Sequence, residues 1–269
     1  MQDPILHFNG TSLDDLTKTL RQPFDQSISL NVNSLYLASP LPIKTFYAGI
    51  ETAAATGETL EVEYYAGPSN GWVSSVQTND QTDGLSASGY ITIQPDPNKP
   101  WSIVGDTLNV SDLSSVRFFN WYWYKITLSG PATVDFQWFG HKFCEDEDIT
   151  RRYPGLANDR AYKAFNKVVN SWEDLIIEAS EELITDLRGR FSLEHAAQIL
   201  DHSDLRSMCR SKTAQFIFGG LGSGYADEAL AAEKQYEILL SQNNVSVDKS
   251  KDGTNDPMER TAGQYDLIR

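Results

Sequence analysis

Leu60, Val62 and Tyr64 alternate with Glu61 and Glu63, the pattern of a strand with one wet face. Gly67-Pro68, Asn70-Gly71 and Asp83-Gly84 are turn dipeptides around it, and Trp72-Val73 opens another short strand. Gly89 to Ile93 is strand-like and is ended by Pro95, Pro97 and Pro100. Arg117 to Leu128 gives the strongest strand signal, Gly130-Pro131 stops it, and Thr133 to Phe139 follows. Short strands at close spacing with turns between them predict an antiparallel β-sandwich.

The period then changes. Ala161, Phe165, Val168, Trp172, Leu175, Ala179, Leu183 and Leu187 recur at steps of three or four, which predicts one long amphipathic helix from about Asn158 to Arg190, stopped at Gly189. Ser192 and Ser203 are expected N-caps. Phe216-Ile217-Phe218 should end a helix at Gly219-Gly220. Tyr225, Ala229, Ala232, Tyr236 and Leu239 mark a last helix, with Asp227 and Glu228 in its first turn where the helix dipole favours them. The expected class is α+β: an N-terminal antiparallel β-sandwich, then a C-terminal α-helical bundle and an extended C-terminal arm. The domains are 1–144, 145–244 and 245–269, with the boundary between the first two placed at Glu145–Tyr153.

Charge supports that division. Residues 1–140 hold 20 of the charged side chains and 19 of the 30 aromatics, whereas residues 141–269 hold 39 charged side chains and 11 aromatics. The net charge of -15 over 269 residues argues against wrapping a nucleic-acid backbone or binding an acidic membrane surface. Hydrophobic residues at 40% suffice for a core without disulfides. Cys144 and Cys209 read as free thiols of a reducing compartment. The start MQDPILHFNG lacks the basic and apolar regions of a signal peptide, and no apolar run approaches the roughly 20 residues of a membrane helix. A soluble protein made in the cytoplasm is the expectation.

Catalytic signals are thin. Ser223, in Gly222-Ser223-Gly224, lacks the strand-borne elbow of a serine hydrolase, and four histidines (His7, His141, His195, His202) offer few triads. Cys144 near His141 is proximity in sequence only. His195, His202 and Cys209 would share a face of an unbroken helix, but Asp201-His202-Ser203-Asp204 reads as a break. The acids are too many to single out a glycosidase pair, and Gly219-Gly220-Leu221-Gly222 lacks the Lys of a phosphate loop. No enzyme activity and no cofactor are expected. The single cation candidate is a calcium-type loop: Asp248, Ser250, Asp252, Gly253, Asp256 and Glu259 fall at template positions 1, 3, 5, 6, 9 and 12. Asn255, Pro257 and the absence of a second loop favour the other reading, a solvated acidic turn.

The aromatic run Phe118-Phe119-Asn120-Trp121-Tyr122-Trp123-Tyr124 has rings on both faces if it is a strand: Phe119, Trp121 and Trp123 on one, Phe118, Tyr122 and Tyr124 on the other. A sandwich strand needs one apolar face. The second face implies cover by another element, a partner subunit or a stacked sugar. Trp121, Tyr122, Trp123 and Tyr124, with Tyr265 and Arg269 of the arm, are the expected interface residues.

Two stretches carry a resemblance. The first runs through Tyr64-Tyr65, Gly71-Trp72-Val73, Asp80, Thr82 to Ser86, Ser88 to Ile91 and Pro100-Trp101; with the strand Arg117 to Ile126 it is similar to a β-sandwich module of tailed-bacteriophage neck, tail and baseplate proteins. The second, Trp172 to Ile176, Ala197 to Asp201 and the helix through Tyr236, resembles head-to-tail connector (adaptor) proteins. The resemblance implies a non-enzymatic virion protein. It would form a homo-oligomeric ring, usually of twelve copies, contacting portal and tail-side neck proteins, with DNA passing through unbound. An acidic lumen suits that passage, with Glu178, Glu181, Glu182 and Asp186 as candidates to face it. The alternatives are a tail or baseplate structural protein, and a carbohydrate-binding sandwich with a helical partner domain.

Overall fold

The computed structural model describes residues 5–8, 13–16, 28–31, 35–53, 58–130, 133–165, 171–191, 193–199, 202–242 and 245–251. The chain divides into two compact units between Gly140 and His141. The class is α+β, antiparallel sheets followed by helices, as the change of period predicts.

The first unit contains eleven strands among the described residues: β1 Ile5–Phe8, β2 Leu13–Asp15, β3 Ile28–Asn31, β4 Leu35–Ser39, β5 Thr45–Thr52, β6 Leu60–Tyr65, β7 Trp72–Ser74, β8 Gln77–Asp80, β9 Gly89–Gln94, β10 Tyr122–Leu128 and β11 Thr133–Gly140. One sheet has the order β2-β1-β4-β10-β6-β7, the other β3-β11-β5-β9-β8, and every pairing is antiparallel. Strand β6 behaves as its alternation predicts: Leu60, Val62 and Tyr64 are buried and Glu61 is exposed. The register sets Tyr124 and Ile126 of β10 beside Leu37 and Leu35 of β4 and Tyr64 and Val62 of β6, all buried. Two tyrosines tie the sheets together. The Tyr124 hydroxyl accepts the Ile43 N–H just before β5 (2.7 Å), and the Tyr64 hydroxyl accepts the Asp96 N–H just after β9 (2.8 Å).

The strand through the aromatic run is shorter than expected. It begins at Tyr122, because Asn120 takes φ 60 and breaks the alternation. Phe118 therefore lies on the same side as Trp121 and Trp123, edge-on to both rings, and not with Tyr122 and Tyr124. That side is covered from within the unit. Val104, Val110 and Leu113 pack with Leu6, Tyr36, Ala38, Tyr65 and Trp123 in one buried cluster. The covering segment holds two 3₁₀ turns, Thr107–Asn109 and Ser111–Leu113, the first capped by the Asp106 carboxylate on the Leu108 N–H. The Thr107 hydroxyl pins the segment, donating to the Val116 carbonyl and accepting the Phe118 N–H.

The Asp83-Gly84 turn is built by one carboxylate. Asp80 accepts from the Thr82 N–H, the Thr82 hydroxyl and the Gly84 N–H. Gly84 has φ 67, and a Cβ there would collide with the Glu58 carbonyl, so this position requires glycine.

The second unit holds α1 Asp146–Arg152, α2 Asp159–Ala164, α3 Glu173–Phe191, α4 Arg206–Gly220 and α5 Ala226–Ser241. The segment Glu145–Tyr153, where the boundary is expected, contains α1. Its acids fill the first turn, Arg151 and Arg152 the last, and Glu145 and Asp148 form a reciprocal capping box. The expected long helix is two helices, α2 and α3. Trp172 is fixed at the entry to α3 by its N–H to the Asp146 carboxylate (2.7 Å), which also takes the Ser171 hydroxyl (2.5 Å). Helix α3 runs through Gly189 to Phe191, Ser192 lies outside the described residues, and Ser203 sits inside a 3₁₀ turn, His202–Leu205, so it caps no helix. The ends of α4 at Gly220 and the acidic first turn of α5 are where the sequence put them.

The unit boundary is displaced from Cys144 to Gly140, because Phe143 and Cys144 are buried in the helical core. The arm also starts later than residue 245. Val245 and Val247 belong to that core, Val247 pairs with Ile199, and Asp248 exchanges hydrogen bonds with Gln198.

Candidate functional site

The expected interface aromatics are largely interior. Trp123 is 1% exposed and Tyr124 is buried, so neither is available as a contact surface of the folded unit. The correction has a plain cause: the second aromatic face of β10 is satisfied by the 104–118 cover of its own chain. Trp121 and Tyr122 are half-buried at the margin. The ring that does reach solvent is Phe119, 50% exposed, with the Arg117 guanidinium 5.0 Å over it. Ile103, just before this cover, and Leu108 within it are also exposed. Tyr265 and Arg269 lie outside the described residues.

The calcium-type loop is described only at its start. Asp248 is buried, and the Ser250 hydroxyl donates to its carboxylate (3.1 Å). Asp252, Gly253, Asp256 and Glu259 lie outside the described residues. Among the described residues no group of three or more His, Cys, Asp or Glu side chains is placed to hold a metal. His195 instead caps the 3₁₀ turn Ala196–Gln198, its Nδ1 accepting the Ala197 N–H. The His202 ring packs edge-on against Phe143.

Among the described residues the helical unit has at least two surface hollows. The larger, about 670 Å³, is lined by Arg152, Tyr153, Leu156, Arg160, Phe218 and Tyr225 among others. The smaller, about 480 Å³, lies where α3, α4 and α5 meet, with Asp186, Arg190, Lys212, Gln215, Glu233 and Tyr236 in its wall. Lys212 organises this second hollow. Its ammonium is 2.7 Å from Glu182 and 3.9 Å from Asp186, and it sits over the rings of Phe216 and Tyr236. Tyr236 donates to Asp186 (2.5 Å). Burial and that carboxylate push the Tyr236 phenol far above its ordinary range, so it stays a donor at any physiological pH. Two of the four acids expected to face a lumen, Glu182 and Asp186, are drawn to Lys212 at the rim of this hollow, with their side chains 50% and 40% exposed, and Glu178 and Glu181 are exposed as well. Sequence reading missed this cluster because Lys212 and Tyr236 are joined only by the packing of α4 on α5.

A second missed cluster joins α1 to α4. Arg206 donates through Nε to the buried Asp148 carboxylate (2.7 Å). Burial alone would raise the Asp148 carboxyl, but the Arg206 hydrogen bond, the Glu145 N–H and the nearby Arg206 and Arg210 charges outweigh it and hold the group below its usual value. A lowered folded value means that the carboxylate's contribution is complete above the ordinary carboxylate pKa and fades as pH falls below about 4. Asp148→Asn is therefore expected to cost about 1–2 kcal/mol at pH 7. Urea unfolding at pH 7 and pH 3 checks this: the gap between the two proteins should narrow at the lower pH, and a gap that stays constant would refute the assignment. Lys142, 3% exposed, is held similarly between Glu145 (2.7 Å) and Glu173 (3.2 Å).

No helix among the described residues is long and apolar enough to cross a membrane. No known protein-family profile matches the chain, and no curated protein is significantly similar to it in sequence.

Proposed function

We propose that this chain is a structural virion protein of a tailed bacteriophage that assembles as a homo-oligomeric ring in the neck, between portal and tail, and lets DNA pass without specific binding. The observation that carries the reading is the order of the two units. The residues that resemble the phage sandwich module fall in the two-sheet unit, on β6 to β9 and β10 and the turns between them. Those that resemble the connector proteins fall in the helical unit that follows, at the head of α3, around the 3₁₀ turn Ala196–Gln198 and in α5. The exposed acids Glu178 and Glu181 suit a surface that repels a phosphate backbone. Phe119, Ile103 and Leu108 are exposed apolar side chains of the sandwich unit, which a neighbouring virion component would cover.

Electron microscopy of the purified protein and of its parent particle tests the proposal. A closed ring much larger than one chain is expected. A monodisperse monomer at high concentration, with no ring in intact particles, would refute it; a ring seen only in the tail or baseplate would move the position and keep the structural role.

The exposed Phe119 beside Arg117 favours a second reading, a carbohydrate-binding sandwich. A glycan array with the wild type and Phe119→Ala separates the two, since binding lost in the variant supports stacking on that ring.

A further inference from the structure

Cys144 and Cys209 are 65 positions apart in sequence, and the fold brings their sulfurs to 3.2 Å. Cys144 ends the segment that enters the helical unit, and Cys209 lies in the first turns of α4. Both are buried, and the structure holds them as free thiols. Their surroundings are ordered. The Ser180 hydroxyl donates to the Ile176 carbonyl (2.7 Å), accepts the Phe143 N–H (3.3 Å) and lies 3.3 Å from the Cys209 sulfur. The Thr213 hydroxyl holds the Cys209 carbonyl (2.8 Å). Ser180 of α3 therefore fixes the backbone beside one cysteine and touches the sulfur of the other.

We propose that Cys144 and Cys209 are a site of reversible covalent modification, an intrachain disulfide formed by exchange with a small disulfide such as oxidised glutathione. One cysteine thiolate attacks the small disulfide, forms a mixed disulfide and expels one small thiolate. The second cysteine thiolate attacks the protein sulfur of that intermediate and expels the other. Two protein thiols and one small disulfide become one protein disulfide and two small thiols, with the protons carried by the released thiols and solvent. The sulfurs must approach by about 1 Å to reach the bonded separation of about 2.05 Å. A shift of that size is within reach of the His141–Cys144 segment, which is not part of a helix or strand. Both sulfurs are buried, and burial pushes the Cys144 thiol well up, so that exchange with a small disulfide is confined to local opening of the segment. Once closed, the bond joins the entry segment to α4 across a long loop and restrains the unfolded chain. The chemistry of the pair is independent of the ring reading.

The test uses the full chain, reduced and then incubated with oxidised glutathione in native buffer and in urea below the unfolding transition. The expected result is loss of both titratable thiols, a cross-linked peptide pair carrying Cys144 and Cys209, and no change in chain number on a non-reducing gel. The rate should rise severalfold in the sub-transition urea. The melting transition of the helical unit should move up by roughly 5–10 °C and return on reduction. Cys144→Ser and Cys209→Ser should each yield only the mixed glutathione adduct. Retention of both thiols in urea, mixed adducts as the wild-type end product, or cross-links between chains would each overturn the proposal, and none of these outcomes requires a variant to fold.

Discussion

Trp172→Ala is expected to lower the stability of the helical unit by roughly 3–5 kcal/mol. The Trp172 ring is 0% exposed, stacks on Tyr162 at 4.5 Å and meets Phe165 edge-on at 5.4 Å. Its indole N–H donates to the Leu156 carbonyl (3.2 Å), and its backbone N–H is the one held by Asp146. One residue thus joins α1, the Pro154–Ala157 turn, α2 and the entry to α3. Truncation would empty the largest side chain from that junction and leave the Leu156 carbonyl buried without its donor. A loss of that size is a large share of a domain's stability of about 5–15 kcal/mol. Trp172→Phe should cost less, since it keeps a ring to stack on Tyr162 and loses the N–H and only part of the buried volume. Urea unfolding followed by helical circular dichroism measures both, and a change below about 1 kcal/mol for the alanine variant would contradict the packing described.

Trp123→Ala should cost the sandwich unit a similar amount, roughly 3–5 kcal/mol, for a different reason. Trp123 lies on the central strand β10, beneath the 104–118 cover and edge-on to Phe118 at 5.6 Å. Its indole N–H has no hydrogen-bond partner among the described residues. The side chain therefore acts through volume alone, and Trp123→Phe should lose at most about 1.5 kcal/mol. Near-ultraviolet circular dichroism during thermal unfolding reads this contrast. The outcome also bears on function. A binding residue would tolerate truncation in the free protein and lose only its ligand, whereas a core residue loses the fold. An alanine variant as stable as the wild type would return Trp123 to the surface role that its sequence context suggested.

The comparison of the two tryptophans shows where pattern reading succeeds. Alternation at Leu60, Val62 and Tyr64 was sufficient for β6, because each strand residue must face one side of its sheet and carboxylates take the wet one. The aromatic run was not sufficient. Rings on two faces state that both are covered, and local sequence does not say by what. The cover came from residues 104–118 of the same unit, whose Val110 and Leu113 pack with Leu6 and Tyr36, positions that no short window spans. Asn120 gave the only local hint of the break, since asparagine tolerates positive φ.

The helical half failed in a similar way. The three-to-four period through Ala161, Phe165 and Trp172 is real, but period alone cannot tell one helix from two that share a core. The Asp146 carboxylate, remote in sequence, decides where α3 begins. Likewise the acidic run from Glu145 reads as a domain boundary by composition, although its acid-first, base-last order is that of a short helix stabilised by its own dipole.

Thus the sequence by itself determined the α+β class, the order of sheets before helices, the turn at Asp83-Gly84, the stop of α4 at Gly220 and the acidic first turn of α5. These depend on backbone preference and on periodicity, both of which act within about ten residues. Tertiary structure alone decided that Trp123 is interior, that Asp186 and Glu182 serve Lys212, that Asp148 meets Arg206 and that Cys144 meets Cys209. Each of these joins positions far apart in the chain. Their proximity follows from burying apolar faces against one another, a free energy that is non-directional and leaves no local mark on the residues it brings together.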